Sequence, residues 1–290
     1  MINYFNFNHL NVNNSLASIE LLLFSLIFLC IGSFISSVIY RLSPNTSKDI
    51  NIFFPRSFCP NCNKQIKLIY LIPVVGFILQ KAKCASCNSS ISFFYPITEL
   101  IFLFTGMYLL YLYGINIVLF FLFSIFSLFY ILFFLDFKFY LLPFSINIFL
   151  IFLGFLSNYS LEMFIISDLY PSNMSPLVFS SLGFVVGYSS LWVINFIFKF
   201  INKKDGIGGG DFILYGALGS VFGPISLPII LFLGSLFGCL LYISFKERFK
   251  KEIPLGSCLI IGSVFYFIFI NFELFNILLV IWIEGLWISS

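Results

Sequence analysis

The sequence predicts an all-α polytopic membrane protein with about eight transmembrane helices and one small cytoplasmic loop domain held by four cysteines. Three observations carry that prediction. First, 60% of the 290 residues are hydrophobic and 9% charged, with 43 Phe and a mean hydropathy of +1.06. A soluble domain is about 45–50% apolar and about 25% charged. Second, the apolar residues come in long continuous runs, not in ~10-residue alternating segments, which argues for helices over a barrel. Helices and closed barrels are the structures that satisfy the backbone in lipid. Third, all 15 Lys and Arg fall in four places along the chain. That distribution fixes an orientation under the positive-inside rule.

Residues 1–15 are polar, Asn-rich and free of Lys and Arg. His9 lies there and receives no role. The first span is 16–39; without a basic n-region or a small-residue cleavage site it reads as uncleaved, with the N-terminus outside. Residues 41–95 are the one sizeable polar domain, with seven cations against Asp49. Further spans are expected at about 97–113, 115–135, 143–158, 177–198, 212–225, 228–245 and 255–272. The piece 274–288, with Trp282 and Trp287, reads as interfacial or as a partial further span. The chain thus divides into 1–40 (extension and first helix), 41–95 (the loop domain) and 96–290 (the remaining transmembrane domain).

With loop 41–95 in the cytoplasm, alternation assigns to the same side the Asp136–Leu142 turn, the 199–211 loop and the 246–254 loop. These four regions hold every Lys and Arg, while the outer loop 159–176 carries only Glu162 and Asp168. Losing one span before the last basic loop would scatter the cations to both faces.

Seven cysteines divide by surroundings. Cys30, Cys239 and Cys258 stand alone in apolar runs and are expected to be small buried hydrophobes. Cys59-Pro-Asn-Cys62 and Cys84-Ala-Ser-Cys87 are two C-x-x-C knuckles with 21 residues between them. Four soft thiolates at this spacing suit a tetrahedral structural zinc, whose shell they close, leaving no position for a catalytic water. Two disulfides and a redox pair are the alternatives; a reducing cytoplasm weighs against the first.

Two acids stand at span ends. Asp136 closes the run Ile131–Leu135, and Asp211 follows Gly206-Ile-Gly-Gly-Gly. Ionisable groups at membrane depth are functional candidates by default. Two close carboxylates resist ionising together, so one keeps a proton near neutral pH. Such a pair can hydrolyse a peptide, one acid taking a proton from water and the other protonating the carbonyl. Glycines beside it, Gly208 and Gly210, would let a substrate backbone approach. The alternative is a pair of solvated helix ends, with Asp211 as an N-cap. A phosphate loop is disfavoured, because the Walker Lys-Ser/Thr is missing and an acid repels phosphate.

In this order the motifs resemble those of the bacterial type IV prepilin peptidases, bifunctional leader peptidases and N-methyltransferases. The resemblance spans most of residues 20–270. It rests on Gly32-Ser-Phe-Ile-Ser-Ser-Val-Ile-Tyr-Arg-Leu42, the two knuckles, Ile72-Pro-Val74, Tyr95-Pro-Ile-Thr-Glu-Leu100, Asp136 with Pro143, Gly208-Gly-Gly-Asp211 and Ile253-Pro-Leu-Gly256. The chain departs from the family pattern at Ser36, Tyr70, Leu71, Lys138, Phe144 and Ile213. The resemblance implies that Asp136 and Asp211 are catalytic, that Gly208 and Gly210 allow close approach of the substrate, and that Glu99 contacts the substrate or the methyl donor. It implies that Cys59, Cys62, Cys84 and Cys87 ligate zinc. The expected reaction removes the basic leader of type IV prepilins or pseudopilins at the cytoplasmic face of the inner membrane. N-methylation of the new terminus with S-adenosylmethionine would follow. Expected partners are those substrates and membrane lipid, with no nucleic acid. A preflagellin-type peptidase without methylation, a zinc-loop scaffold and a transporter are the competing readings.

Overall fold

The computed structural model describes residues 18–44, 51–52, 54–165, 174–247 and 253–271. The expectations for His9, Asp49, Asp168, residues 1–15 and the piece 274–288 lie outside the described residues. Helices occupy each of the eight apolar stretches: α1 (Ser18–Leu42), α3 (Phe94–Tyr113), α4 (Ile117–Phe139), α5 (Phe144–Leu161), α6 (Pro176–Asn202), α7 (Gly209–Phe222), α8 (Ser226–Ser244) and α9 (Leu255–Asn271). A short α2 (Val75–Leu79) sits in the polar loop. Six of these helices are long and apolar enough to cross a membrane, while α7 has 14 residues and α9 17.

The chain forms two compact units, divided between Ser127 and Leu128 within α4. In the first, α1 packs along α3 where small residues allow it: a Cβ on Gly32 would stand 2.9 Å from Glu99 Cα, and Gly106 lies flat on the Phe28 ring. Close backbone approach at small residues is how helices gain contact where lipid is as apolar as the protein. The rings of Phe28, Phe102 and Phe126 surround Phe123, with centroids 4.8 Å apart for Phe28–Phe123 and 5.7 Å for Phe102–Phe123. Arg41, at the end of α1, donates to the carbonyls of Asn51, Ile52 and Pro55 and so fixes the start of the loop.

The second unit is arranged about α7. Ten of its 14 residues are buried, so the helix is enclosed on all sides, unlike its neighbours. Glycines again set the approach: Gly183 and Gly187 on α6 meet the α7 backbone at Gly219 and Tyr215. Gly154 of α5 faces Ser220 and Val221. Asn158, fully buried, donates to Ser180 Oγ and to the carbonyls of Ser220 and Val221, and accepts from Phe164 N–H. Gly223, at φ 82°, ends α7 ahead of Pro224. Gly234 and Gly262 allow α8 and α9 to meet in the same way.

One sequence expectation fails here. Cys258 is buried, but Cys30 and Cys239 are exposed on their helices. An apolar run in a membrane protein contacts lipid as readily as it contacts protein, so apolar surroundings in sequence do not imply burial.

Candidate active site and metal centre

Asp136 lies in the last turn of α4 and is 4% exposed. Its Oδ2 accepts a short hydrogen bond from the Ser257 backbone N–H, and Ser257 Oγ stands 2.7 Å from the same oxygen. The hydroxyl also lies 3.1 Å from the Phe133 carbonyl. Ser257 is in the first turn of α9, where backbone N–H groups have no partner within the helix and the dipole favours an anion.

Asp211 sits in the first turn of α7 and is only partly buried. The backbone amides of Gly208 and Gly256 face its carboxyl. Gly256 and Ser257 are consecutive, so both carboxyls converge on one helix N-terminus. A Cβ on Gly256 would press on the Asp136 carboxyl carbon at 3.1 Å and on Leu142 Cδ1 at 2.9 Å, so a side chain there would make both give way. The glycines before Asp211 differ among themselves. Gly208 adjoins Asp211 Oδ2 at 3.1 Å from its Cβ position, Gly209 is open, and Gly210 is closed by Leu142 Cβ at 2.9 Å. Room beside the acid is therefore at Gly208 and Gly209.

The turn carrying these glycines is held from α6. Asn195 Oδ1 accepts from Gly206 N–H (2.9 Å) and Ile207 N–H (3.0 Å), while its Nδ2 donates to Asp205 Oδ1 at 3.2 Å. Lys199, four residues on and hence on the same helix face, pairs with Asp205 Oδ2 at 3.0 Å. Lys199 and then Asn195 hold the Asp205 carboxyl below its ordinary range.

Among the described residues, the buried side-chain atoms without a hydrogen-bond partner are Asp211 Oδ1 and both polar atoms of Asn147. Asn147 is fully buried one turn into α5. Gly154 is level with Ser220, so stepping seven residues back along each helix places Asn147 about 3 Å, in axial rise, from the level of Asp211. Unpaired polar atoms in a buried setting call for water or a ligand. Ser257, Asn195 and Asn147 were all missed in the sequence. Each is a small polar residue in an apolar run, and nothing local distinguishes them from the other Ser and Asn.

The cysteine loop is built from two like turns. Cys59 N–H donates to the Lys64 carbonyl and Asn63 N–H to the Cys59 carbonyl, and Cys84, Ser89 and Asn88 repeat the pattern. Asn63 and Asn88 take φ of 55° and 56°, the left-handed conformation that Asn tolerates best after Gly. The turns bring all four Sγ atoms within 4.8 Å of one another, with Cys59 and Cys87 3.8 Å apart. That separation matches a tetrahedral edge of about 3.8 Å for metal–sulfur bonds of about 2.3 Å. It is far beyond a disulfide's ~2.05 Å. The Ser89 hydroxyl, 3.1 Å from Cys87 Sγ, leads the interactions that hold this thiol down at about 6, while the neighbouring cysteines push Cys62 up to about 11, so the crowded thiols resist ionising together without a cation. The four residues form a cluster able to hold a metal ion.

Glu99, 5% exposed on α3, accepts the Val74 N–H on Oε2 at 2.7 Å, with the Ser33 hydroxyl beside it. Val74 has φ 61°, a costly conformation for a β-branched residue. The buried carboxyl holds that strained residue in place.

Comparison with known proteins agrees with this layout. The model of the bacterial peptidase A24 N-terminal domain matches residues 26–113, and that of the type IV leader peptidase family matches residues 121–243. The chain is similar to the prepilin leader peptidase/N-methyltransferase of Neisseria gonorrhoeae, 30% identical over 81% of this chain and 85% of that one. That of Aeromonas salmonicida (strain A449) is 31% identical over 83% and 89%. That of Klebsiella pneumoniae is 34% identical over 71% and 87%. No solved structure matches. The four cysteines fall in the first matched stretch and both aspartates in the second, with similarity extending over most of each relative: the chain belongs to the type IV leader (prepilin) peptidase family.

Proposed function

We propose that this chain is a membrane aspartic endopeptidase that removes the basic leader of type IV prepilins or pseudopilins, with Asp136 and Asp211 as its catalytic pair. The observation that supports this most is the convergence of both carboxyls on Gly256–Ser257. The pair shares one proton. The carboxylate draws a proton from water as the water oxygen bonds to the scissile carbonyl carbon, and the protonated partner donates to the carbonyl oxygen. The carbonyl re-forms, the C–N bond breaks, and the departing amine takes its proton from the pair. No acyl-enzyme forms. Gly208 and Gly209 admit the substrate backbone, while Gly210 lets the α7 turn close on Leu142.

The topology that supports this chemistry has eight spans, the N-terminus outside and the acids on the cytoplasmic face, where the basic leader stays. The functional division is 1–40, 41–95 and 96–290. The ion we assign to Cys59, Cys62, Cys84 and Cys87 is zinc; four thiolates close its shell, so it braces the loop and takes no part in hydrolysis. N-methylation of the new terminus with S-adenosylmethionine is the second activity we assign, since the relatives' names carry it. Glu99 contributes to that side through Val74.

The test is co-expression with a prepilin, following leader removal by the wild type, Asp136→Asn and Asp211→Asn. Cleavage by the wild type and loss in both variants is expected. A wild type that cleaves nothing, or a variant with full activity, would overturn the reading.

A further inference from the structure

The cysteine loop contains a stretch that does not belong in water. Between Lys67 and Lys81 the chain reads Leu-Ile-Tyr-Leu-Ile-Pro-Val-Val-Gly-Phe-Ile-Leu-Gln. It folds into a 3-10 turn (Leu68–Leu71) followed by α2. Gly76 packs its inner side against the Tyr70 backbone, which turns the large side chains outward. Leu68, Ile69, Ile72, Val75, Ile78 and Leu79 are 46% to 71% exposed. Exposed apolar clusters of this kind mark a contact surface. The run is too short to span a bilayer, and apolar segments of 10–14 residues include re-entrant and interfacial ones.

Two further observations say what covers it. One is depth. Val74, at the tip of the stretch, is hydrogen-bonded to Glu99, which lies level with Gly32 of α1. Gly32 is ten residues before the end of α1 at Leu42, about 15 Å of helix, and Glu99 is five residues after the start of α3 at Phe94, about 8 Å. The loop therefore folds back alongside its own two spans and does not stand off into solvent. The other is charge. Loop 41–95 carries seven cations and one acid, and Lys64, Lys67, Lys81 and Lys83 are all exposed around the apolar stretch. Apolar side chains ringed by lysines match a bilayer surface with anionic headgroups.

We propose that residues 68–79 are a membrane-interfacial insert, seated in the acyl boundary beside α1 and α3 with Lys67 and Lys81 at the headgroups. The knuckles and their metal then hold a membrane-docked platform, with Glu99 as its anchor. This does not depend on the protease reading.

The test uses the full-length, metal-loaded protein in lipid nanodiscs, with a fluorescent amino acid placed singly at Ile69, Ile78, Asn61 or Ser86. Lipids brominated near the top of the acyl chain should quench the first two positions about twofold, in keeping with burial about 5–10 Å into the boundary, and spare the knuckle positions. Lys67→Glu/Lys81→Glu, with metal content unchanged, should weaken that quenching in anionic discs and leave it unchanged in zwitterionic ones. Quenching at Ile69 and Ile78 by aqueous iodide and not by lipid would overturn the proposal. Shielding from both quenchers would overturn it as well, by showing that protein covers the patch. A label that is aqueous until a prepilin is added would make the patch a substrate groove and overturn it too. Equal effects of the lysine pair in both disc types would remove the anionic headgroup from it.

Discussion

The cysteine cluster and the aspartate pair are both gatherings of reactive side chains at chain turns, but they are built over different distances. Each knuckle is closed by its own hydrogen bonds within six residues, from Cys59 to Lys64 and from Cys84 to Ser89. The aspartate pair takes one acid from the end of α4 and one from the start of α7. Its donors come from α9, 121 residues along the chain from Asp136 in the case of Ser257. Local construction tolerates change elsewhere, whereas the aspartate pair depends on three helix ends meeting. The two sites should accordingly fail differently when altered.

The largest effect belongs to the acids. Asp136→Asn and Asp211→Asn should each lower leader removal by at least the 10²–10⁴-fold range of a lost general acid or base, roughly. Metal content should be unchanged, because the cysteine loop does not draw on these residues. Next comes the metal. Cys59→Ser/Cys84→Ser should purify with little or no zinc by elemental analysis, since two of four ligands are gone and the binding energy is also folding energy for the loop. The purified variant should lose protection of loop amides in hydrogen exchange, while those of α7, α8 and α9 stay protected. Wild-type zinc content in this variant would refute the metal assignment, and collapse of α7 protection would refute the independence of the two sites.

Ser257 tests the long-range part of the comparison. Ser257→Ala removes the hydroxyl at 2.7 Å from Asp136 and keeps the backbone donor. A hydrogen bond to a charged group contributes about 1.5–3 kcal/mol, so kcat should fall about 10- to 100-fold. KM should hold if Ser257 acts through Asp136, the residue its amide and hydroxyl face. Ser257→Thr should restore most of the rate. An unchanged kcat in the alanine variant would mean that the hydroxyl serves the Phe133 carbonyl alone.

This contrast also explains what could be read from the chain. The membrane class, the helices and the four-cysteine cluster were legible because each depends on local composition or short spacing. Asp136 and Asp211 were legible as acids at span ends, the Lys and Arg count put them on one side of the membrane, and the order of motifs then favoured a catalytic pair over two solvated helix ends. Ser257 and Asn195 were not legible: among so many Ser and Asn in apolar runs, only the packing of α9 and α6 singles them out. Asn147, buried without a partner, is identifiable only once neighbouring helices enclose it. The insert at 68–79 was overlooked for the opposite reason, since its flanking lysines led the whole loop to be read as polar. Gly210 shows that a motif glycine can be required by packing against Leu142 as readily as by access to the acid.

The smallest effect separates the two ends of the α6 clamp. Asn195→Ala strips the acceptor from Gly206 N–H and Ile207 N–H, two donors that set the turn leading to Asp211. Gly206 is exposed and Ile207 half-buried, so water replaces part of the loss; at about 0.5–1.5 kcal/mol for each hydrogen bond, the looser turn should lower kcat/KM about tenfold. Lys199→Met removes an ion pair whose side chains are 56% and 59% exposed, and water and salt screen such pairs to a small contribution. Activity should change less than about twofold, with a weaker salt dependence. The Asp205 carboxyl is held below its ordinary range by Lys199 first and Asn195 second. Its contribution is therefore complete above the unfolded value of about 3.9 and is lost as pH falls through the lower folded one. Around neutral pH the turn should be insensitive to pH in both variants. If Lys199→Met proved as damaging as Asn195→Ala, the turn would be held by charge and not by the buried amide, and the hydrogen bonds of Asn195 would have to be demoted.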